Sequence, residues 1–132
     1  MNAVKTKDFE AEKLWDIPRP PINGEVHPDL IRYKGCFFCQ FQEYGGNRIL
    51  RSPDGRHWET VQLGRIGFMF SITSHGELML IGMRRDIPPM RPDGKLRWQS
   101  YTRFSEDGIR WTPEYASPAG FETCMYRVTW HN

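Results

Sequence analysis

The hydrophobic pattern from residue 29 onward is typical of short β-strands joined by tight loops. Runs of apolar, aromatic and β-branched residues alternate with turns rich in Gly, Pro, Asp and Asn. The runs predict eight strands, at residues 30–33, 36–42, 48–51, 58–63, 68–73, 78–83, 98–104 and 111–115. No segment predicts a convincing helix, so we expect an all-β fold.

The predicted strands form two consecutive units with the same order of strands and turns. Equivalent positions carry the same residue: Gly35 and Gly76, Ser52 and Ser105, Trp58 and Trp111. The second unit is longer because of a proline-rich loop over residues 84–96, and an insertion confined to one loop is expected when repeats share a core. The sequence predicts an irregular leader (1–28), a first unit (29–64), a second unit (65–118) and the first strand of a further unit (119–132).

Two of the predicted strands are apolar at consecutive positions, in residues 36–39 and 78–81. Such strands are covered on both faces, whereas the strands of a two-sheet sandwich show a cleaner alternation of apolar and polar residues. In a β-propeller each four-stranded blade packs between two neighbours. The pattern therefore favours propeller blades.

One motif occurs at the same place in both units, as Ser52-Pro-Asp-Gly-Arg-His-Trp58 and as Ser105-Glu-Asp-Gly-Ile-Arg-Trp111. In a hairpin turn the Asp carboxylate accepts backbone N–H groups, the Gly adopts positive φ, and the Trp folds back onto the sheet. The alternative is a catalytic pair of Asp54 and Asp107. Because the turn already uses these carboxylates, we expect structural roles for Ser52, Asp54, Gly55, Trp58, Ser105, Asp107, Gly108 and Trp111.

The motif resembles the Asp-box, or BNR repeat, of sialidases and related glycoside hydrolases. In that family it joins the third and fourth strands of a blade, on the face opposite the active site. Residues 27–43 are similar to the opening blade, and residues 126–131 to the start of the third. The resemblance implies six blades, of which this chain supplies two and one further strand. We expect a homo-oligomer, three copies giving six blades; the alternative is the remainder of a longer propeller.

The resemblance also places candidate ligand-binding residues at the end opposite the Asp-box turns: Asp29, Glu43, Arg84, Arg85 and Asp86. The last three begin the proline-rich loop, where they could hold an anion or a sugar. The alternative is a solvated loop stabilised by salt bridges.

A sialidase needs three arginines for the substrate carboxylate, a Tyr nucleophile with its Glu, and an Asp acid/base. Here the family's Arg motif before the first strand is absent, and Gln42 stands where relatives often carry Arg. We therefore expect a non-catalytic carbohydrate-binding or assembly unit. The alternative is an exo-sialidase-like glycoside hydrolase whose active site is completed by oligomerisation or by missing blades.

Composition and charge argue against only a few further classes of function. The 18 basic and 16 acidic residues are interspersed, which gives little support for nucleic-acid binding. No apolar run could span a bilayer and residues 1–12 lack the features of a secretory signal, so we expect no membrane association. The pattern does not identify a compartment, and a cytoplasmic location is only the default. The three cysteines, Cys36, Cys39 and Cys124, argue against a disulfide framework, and no cofactor or metal is expected.

Overall fold

The computed structural model describes residues 28–43, 46–64, 67–87, 91–95, 97–122, 124–125 and 127–130. For residues 42, 43, 46 and 85–87 the description covers the backbone only. These segments contain no helix, and hence none able to cross a membrane. They form eight strands: β1 (Asp29–Tyr33), β2 (Cys36–Glu43), β3 (Gly46–Ser52), β4 (Glu59–Gly64), β5 (Met69–Ile72), β6 (Leu78–Ile87), β7 (Arg97–Ser105) and β8 (Tyr115–Phe121).

The strands form two four-stranded antiparallel sheets in chain order, β1–β4 (the first sheet) and β5–β8 (the second sheet). The prediction of an all-β fold with two four-stranded units is therefore confirmed. Lys34 and Gly35, with φ of 46° and 82°, close the β1–β2 hairpin, as a two-residue turn between right-twisted strands requires.

Antiparallel order places two sets of connections at opposite ends of the sheets. The turns at residues 34–35, 52–58, 73–77 and 105–111 lie at one end, named here the turn end. The start of β1 and the ends of β4, β6 and β8 lie at the other, named the Asp29 end. The ends coincide in the two sheets, because Tyr33 bonds to Gly76 at one and Asp29 bonds to Phe70 at the other.

The core lies between the two sheets, where β1 runs alongside β5. Its buried side chains are Tyr33, Phe38 and Ile49 from the first sheet and Phe70, Leu78 and Leu80 from the second. Burial of each large apolar side chain contributes about 1.5–3 kcal/mol. Trp111 stacks on Phe70 with ring centroids 6.5 Å apart and so closes the core near the second turn.

Both faces of the central strands are covered. Phe38 packs between the sheets, whereas its neighbour Cys39 is buried on the other face with Phe41 and Leu50. In β6 the four consecutive residues 78–81 are all buried. The prediction of cover on both faces is confirmed for residues 78–81, whereas in 36–39 it holds for Phe38 and Cys39 and the other two residues are half-buried.

Strand β6 is longer than its sequence predicts. It was expected to end at residue 83, but the ladder with β7 continues through Arg84 opposite Gln99 and, after an irregularity, Ile87 opposite Arg97. Residues 84–86 therefore lie in a strand and do not begin a loop. The apolar pattern ends before the strand does, because backbone pairing to β7 supports polar residues there.

The eighth strand begins where its predicted position ends. Residues 111–115 were expected to form it, but β8 begins only at Tyr115 and runs to Phe121. Thr112 bonds to Phe104 through both its backbone N–H and its side chain, and Pro113 has no N–H to donate. Strand β8 itself contains Pro118, which an edge strand tolerates. It crosses the unit boundary expected at residue 118.

Candidate functional site

The two S-x-D-G-x-x-W turns have the same hydrogen-bond geometry. Ser52 Oγ accepts the N–H of Gly55 at 2.8 Å, and Asp54 Oδ1 accepts the N–H groups of Arg56 and His57 at 2.8 and 2.9 Å. The second turn repeats these bonds: Gly108 N to Ser105 Oγ at 2.8 Å, and Ile109 N and Arg110 N to Asp107 Oδ1, each at 2.8 Å. Gly55 and Gly108 have φ of 78° and 76°. The same hydrogen bonds of the Ser and Asp side chains therefore form in both turns.

These bonds commit both carboxylates to the turns. The backbone N–H of His57, with its side chain and the N–H of Arg56, holds the pKa of Asp54 well below its usual range. The backbone N–H groups of Arg110 and Ile109 lower the pKa of Asp107 in the same way. Each group is an ionised acceptor of hydrogen bonds and has no proton to give, so neither is suited to acid catalysis.

The two tryptophans of the motif make different contacts. Trp58 donates its indole N–H to the carbonyl of Gly55 at 3.0 Å and packs on the buried residues Cys39, Phe41 and Leu50. Trp111 turns its ring into the core between the sheets. Both residues thus anchor a turn, one to the outer face of the first sheet and one to the second sheet's inner face.

At the opposite end, Asp29 joins three parts of the chain. Its side chain is only 12% exposed. Oδ2 accepts the backbone N–H of Phe70 in β5 at 2.7 Å, and Oδ1 accepts Arg127 Nη2 at 3.0 Å. Asp29 is therefore a mostly buried carboxylate that fixes both the second sheet and the segment 127–130 against β1.

Other polar groups surround this carboxylate. Gln40 is fully buried, donates its amide N–H to the carbonyl of Phe68, and accepts Asn47 Nδ2 at 3.4 Å. Burial, with a smaller effect of the Asp29 carboxylate, raises the pKa of the Cys39 thiol to about 11. Cys39 is thus a protonated thiol and a poor nucleophile. Across the described segments there is no group of three side chains suited to holding a metal ion.

An open groove of about 530 Å³ lies between β1, β5 and segment 127–130. Its lining includes Leu30, Phe70, Ile72, Arg127 and Trp130, together with hydroxyl-bearing residues of β5 and the following turn. The Ser71 hydroxyl donates to the carbonyl of Val128 at 2.5 Å and so holds the segment in place. Trp130 is 46% exposed, and the side chain of Arg127 is 63% exposed. The groove therefore has an accessible indole ring and an accessible guanidinium in its lining.

The remaining predicted ligand residues are placed differently. Arg84 Nη1 pairs with Glu114 Oε2 at 3.1 Å, and Glu114 Oε1 pairs with Arg103 Nη2 at 3.0 Å. This cluster lies near the start of β8, which is one edge strand of the second sheet, whereas Asp29 contacts β5, the strand at the other edge. The side chains of Glu43, Arg85 and Asp86 lie outside the described part of the structure.

Sequence reasoning missed Arg127 and Trp130 as site residues. The sequence did contain a signal for them. Asp29 was selected because it stands at the start of the first unit, and segment 126–131 was interpreted as the start of a further unit, so the same reasoning could have selected residues there. A scan against protein-family models and searches of curated proteins and of solved structures found no match to this chain. The chemistry assigned to the groove follows from its own contacts.

Proposed function

We propose that this chain is a sialidase-like β-propeller unit that binds carbohydrate without turning it over. The observation that carries the proposal is the repeated turn: the same seven-residue motif, with the same Ser and Asp hydrogen bonds, joins the third and fourth strand of each sheet. The sheets pack face to face with their first strands adjacent. Radial blades stack in this way around an axis.

The groove supports the carbohydrate part of the proposal. It runs along β5 from Phe70 to the 73–77 turn, beside segment 127–130. An exposed indole such as Trp130 stacks on the apolar face of a sugar ring, and a guanidinium such as Arg127 pairs with hydroxyl or carboxylate oxygens. The volume of about 530 Å³ is that of a small-ligand site.

Two placements favour binding over hydrolysis. Asp29, the carboxylate that holds the groove residues Phe70 and Arg127, already accepts a hydrogen bond from each of them. Tyr33 lies at the turn end, buried, with its hydroxyl on the carbonyls of Gly76 and Glu106 at 3.0 and 3.2 Å. Neither group is free to act as an acid or as a nucleophile on a sugar in the groove.

A glycan array followed by a fluorogenic sialoside assay tests the proposal. We expect saturable binding to at least one glycan, loss of that binding in Trp130→Ala, and no release of fluorophore. Leu63→Ala is the matched control, since Leu63 is an exposed apolar residue on β4 away from the groove. Turnover abolished by Arg127→Ala would instead make the chain a glycoside hydrolase. An array without hits would leave a structural assembly unit.

A further inference from the structure

Each sheet has a surface next to its S-x-D-G-x-x-W turn. The first sheet covers this surface of the second sheet, whereas the corresponding surface of the first sheet has no such cover among the described residues. In the second sheet, Leu78 pairs with the turn residue Ser105 and is fully buried. Gly108 is buried beneath Phe38, whose ring would lie 2.3 Å from a Cβ atom at that glycine. The first sheet provides the cover for both residues.

The corresponding residues of the first sheet are Phe37, which pairs with Ser52, and Gly55. Both are only half-buried. A Cβ atom on Gly55 would meet only the Phe37 ring, at 3.8 Å. Arg32 is exposed and lies over that ring at 5.7 Å. We name Arg32, Phe37 and Gly55 the head surface, and among the described residues it lacks the aromatic cover that its counterpart has.

The outer face of the second sheet carries a second apolar patch at the same end. Phe104 pairs with Met79 and so points away from the core between the sheets. Its ring lies 5.9 Å from that of Tyr115, which is 54% exposed. The charged residues that line a cleft of about 360 Å³ beside Phe104 are Glu77, Glu106 and the pair of Asp107 with Arg110, whose charged groups lie 2.9 Å apart. We name Glu77, Phe104 and Tyr115 the tail surface.

We propose that the head surface of one copy docks on the tail surface of a second copy, an inference that rests on the blade arrangement proposed above. Three features favour a second copy over another partner. The first sheet already covers the second sheet's inner face in the way proposed for the second copy, and the two surfaces are both aromatic. Their charges are also opposite, since Asp107 pairs with Arg110 in the tail cleft and leaves two further carboxylates there. Arg32 on the head faces a cleft with acidic residues, and a guanidinium matches a carboxylate in geometry.

The contact is head-to-tail, because the two surfaces lie on opposite outer faces of one chain. Contacts of this kind form rings when the rotation closes. The groove takes no part in the contact, since its lining from β1, β5, the turn after β5 and segment 127–130 shares no residue with the head or tail surface. Glycan binding and association can therefore be measured independently on the same variants.

Sedimentation velocity of the full chain over a concentration series tests the docking. We expect wild type to associate, and Tyr115→Glu and Arg32→Glu each to raise the dissociation constant about tenfold or more. Leu63→Glu, which changes an equally exposed apolar residue outside both surfaces, should associate like wild type. The charge-swapped double variant Arg32→Glu/Glu77→Arg should regain part of the affinity. Circular dichroism confirms that each variant is folded.

Two results would overturn the docking. One is a wild-type chain that stays monomeric at its highest soluble concentration, and the other is Arg32→Glu and Tyr115→Glu associating as tightly as wild type. If glycan binding persists in either case, the docking alone is wrong. If binding to every glycan is absent while association occurs as expected, the docking stands and the carbohydrate function is wrong.

Discussion

Asp29 and Arg127 form an ion pair at 3.0 Å although they lie 98 positions apart in the chain. The same carboxylate accepts the backbone N–H of Phe70. A single side chain at the start of β1 therefore fixes the edge of the second sheet and the segment that lines the groove. The groove depends on this carboxylate for its shape.

Replacing Asp29 should destabilise the fold and loosen the groove. Asp29→Asn removes the charge that holds Arg127 and weakens the acceptor for Phe70, so we expect a loss of about 1–3 kcal/mol in unfolding free energy. Hydrogen exchange should become faster at residues 127–130. Urea unfolding with amide exchange measures both effects.

Glu59→Gln is the control for that variant. It removes a carboxylate that pairs with Arg51 at the exposed surface, where an ion pair contributes about 0–1 kcal/mol. Equal losses in the two variants would contradict the role assigned to Asp29.

The two turn glycines give a matched pair of substitutions. Gly55 and Gly108 have the same positive φ, so Ala carries a backbone cost of about 1–2 kcal/mol at either position. At Gly108 the new methyl group also meets the Phe38 ring, which should add about 1–3 kcal/mol. Urea unfolding should therefore show a larger loss for Gly108→Ala than for Gly55→Ala. Equal losses would mean that the second turn does not pack on the first sheet as described.

The turn carboxylates should make stability depend on acid pH. Their pKa values are lower in the folded protein than in the unfolded chain. Their contribution is therefore complete above the unfolded-state pKa, about 4, and is lost as the pH falls below it. Melting temperatures between neutral pH and about pH 2 should fall less steeply for Asp107→Asn than for wild type. Parallel curves would show that Asp107 does not titrate with folding.

The cysteines should differ in reactivity. Cys124 is exposed, whereas Cys39 is buried with its pKa raised to about 11. With a thiol reagent at about pH 8, peptide mass spectrometry should find Cys124 labelled quickly and Cys39 only after unfolding. Labelling of Cys39 in the folded protein at the rate of Cys124 would contradict its burial.

The sequence predicts best what is decided locally. The S-x-D-G-x-x-W turns could be predicted because their hydrogen bonds join residues within the motif, and the central strands because β2 and β6 carry consecutive apolar residues. Strand β8 was misplaced because Trp111 looks like a strand residue but packs into the core. Residues 115–121 contain Pro118 and Gly120, and they become a strand only through pairing with β7.

The site was harder to predict because long-range contacts build it. Asp29 was selected for its place at the start of β1, but its partner Arg127 lies beyond the second sheet in sequence. Gln40 gave a local sign, an amide within an apolar run, but its partner Phe68 belongs to the other sheet. Arg84 was expected to begin a loop, whereas the β6–β7 ladder includes it and Glu114 pairs with it. Such pairings follow from topology, which the strand pattern alone does not determine.

The indole N–H resonances of the tryptophans test the proposed function most directly, in a titration with the tightest-binding glycan of the array. We predict that the Trp130 resonance shifts in a saturable manner together with the backbone amides of residues 127–129, while the Trp58 resonance at the turn end stays unchanged. Shifts confined to Trp58 and the turns, or no saturable shift with any glycan, would contradict the assignment of the groove as a carbohydrate site.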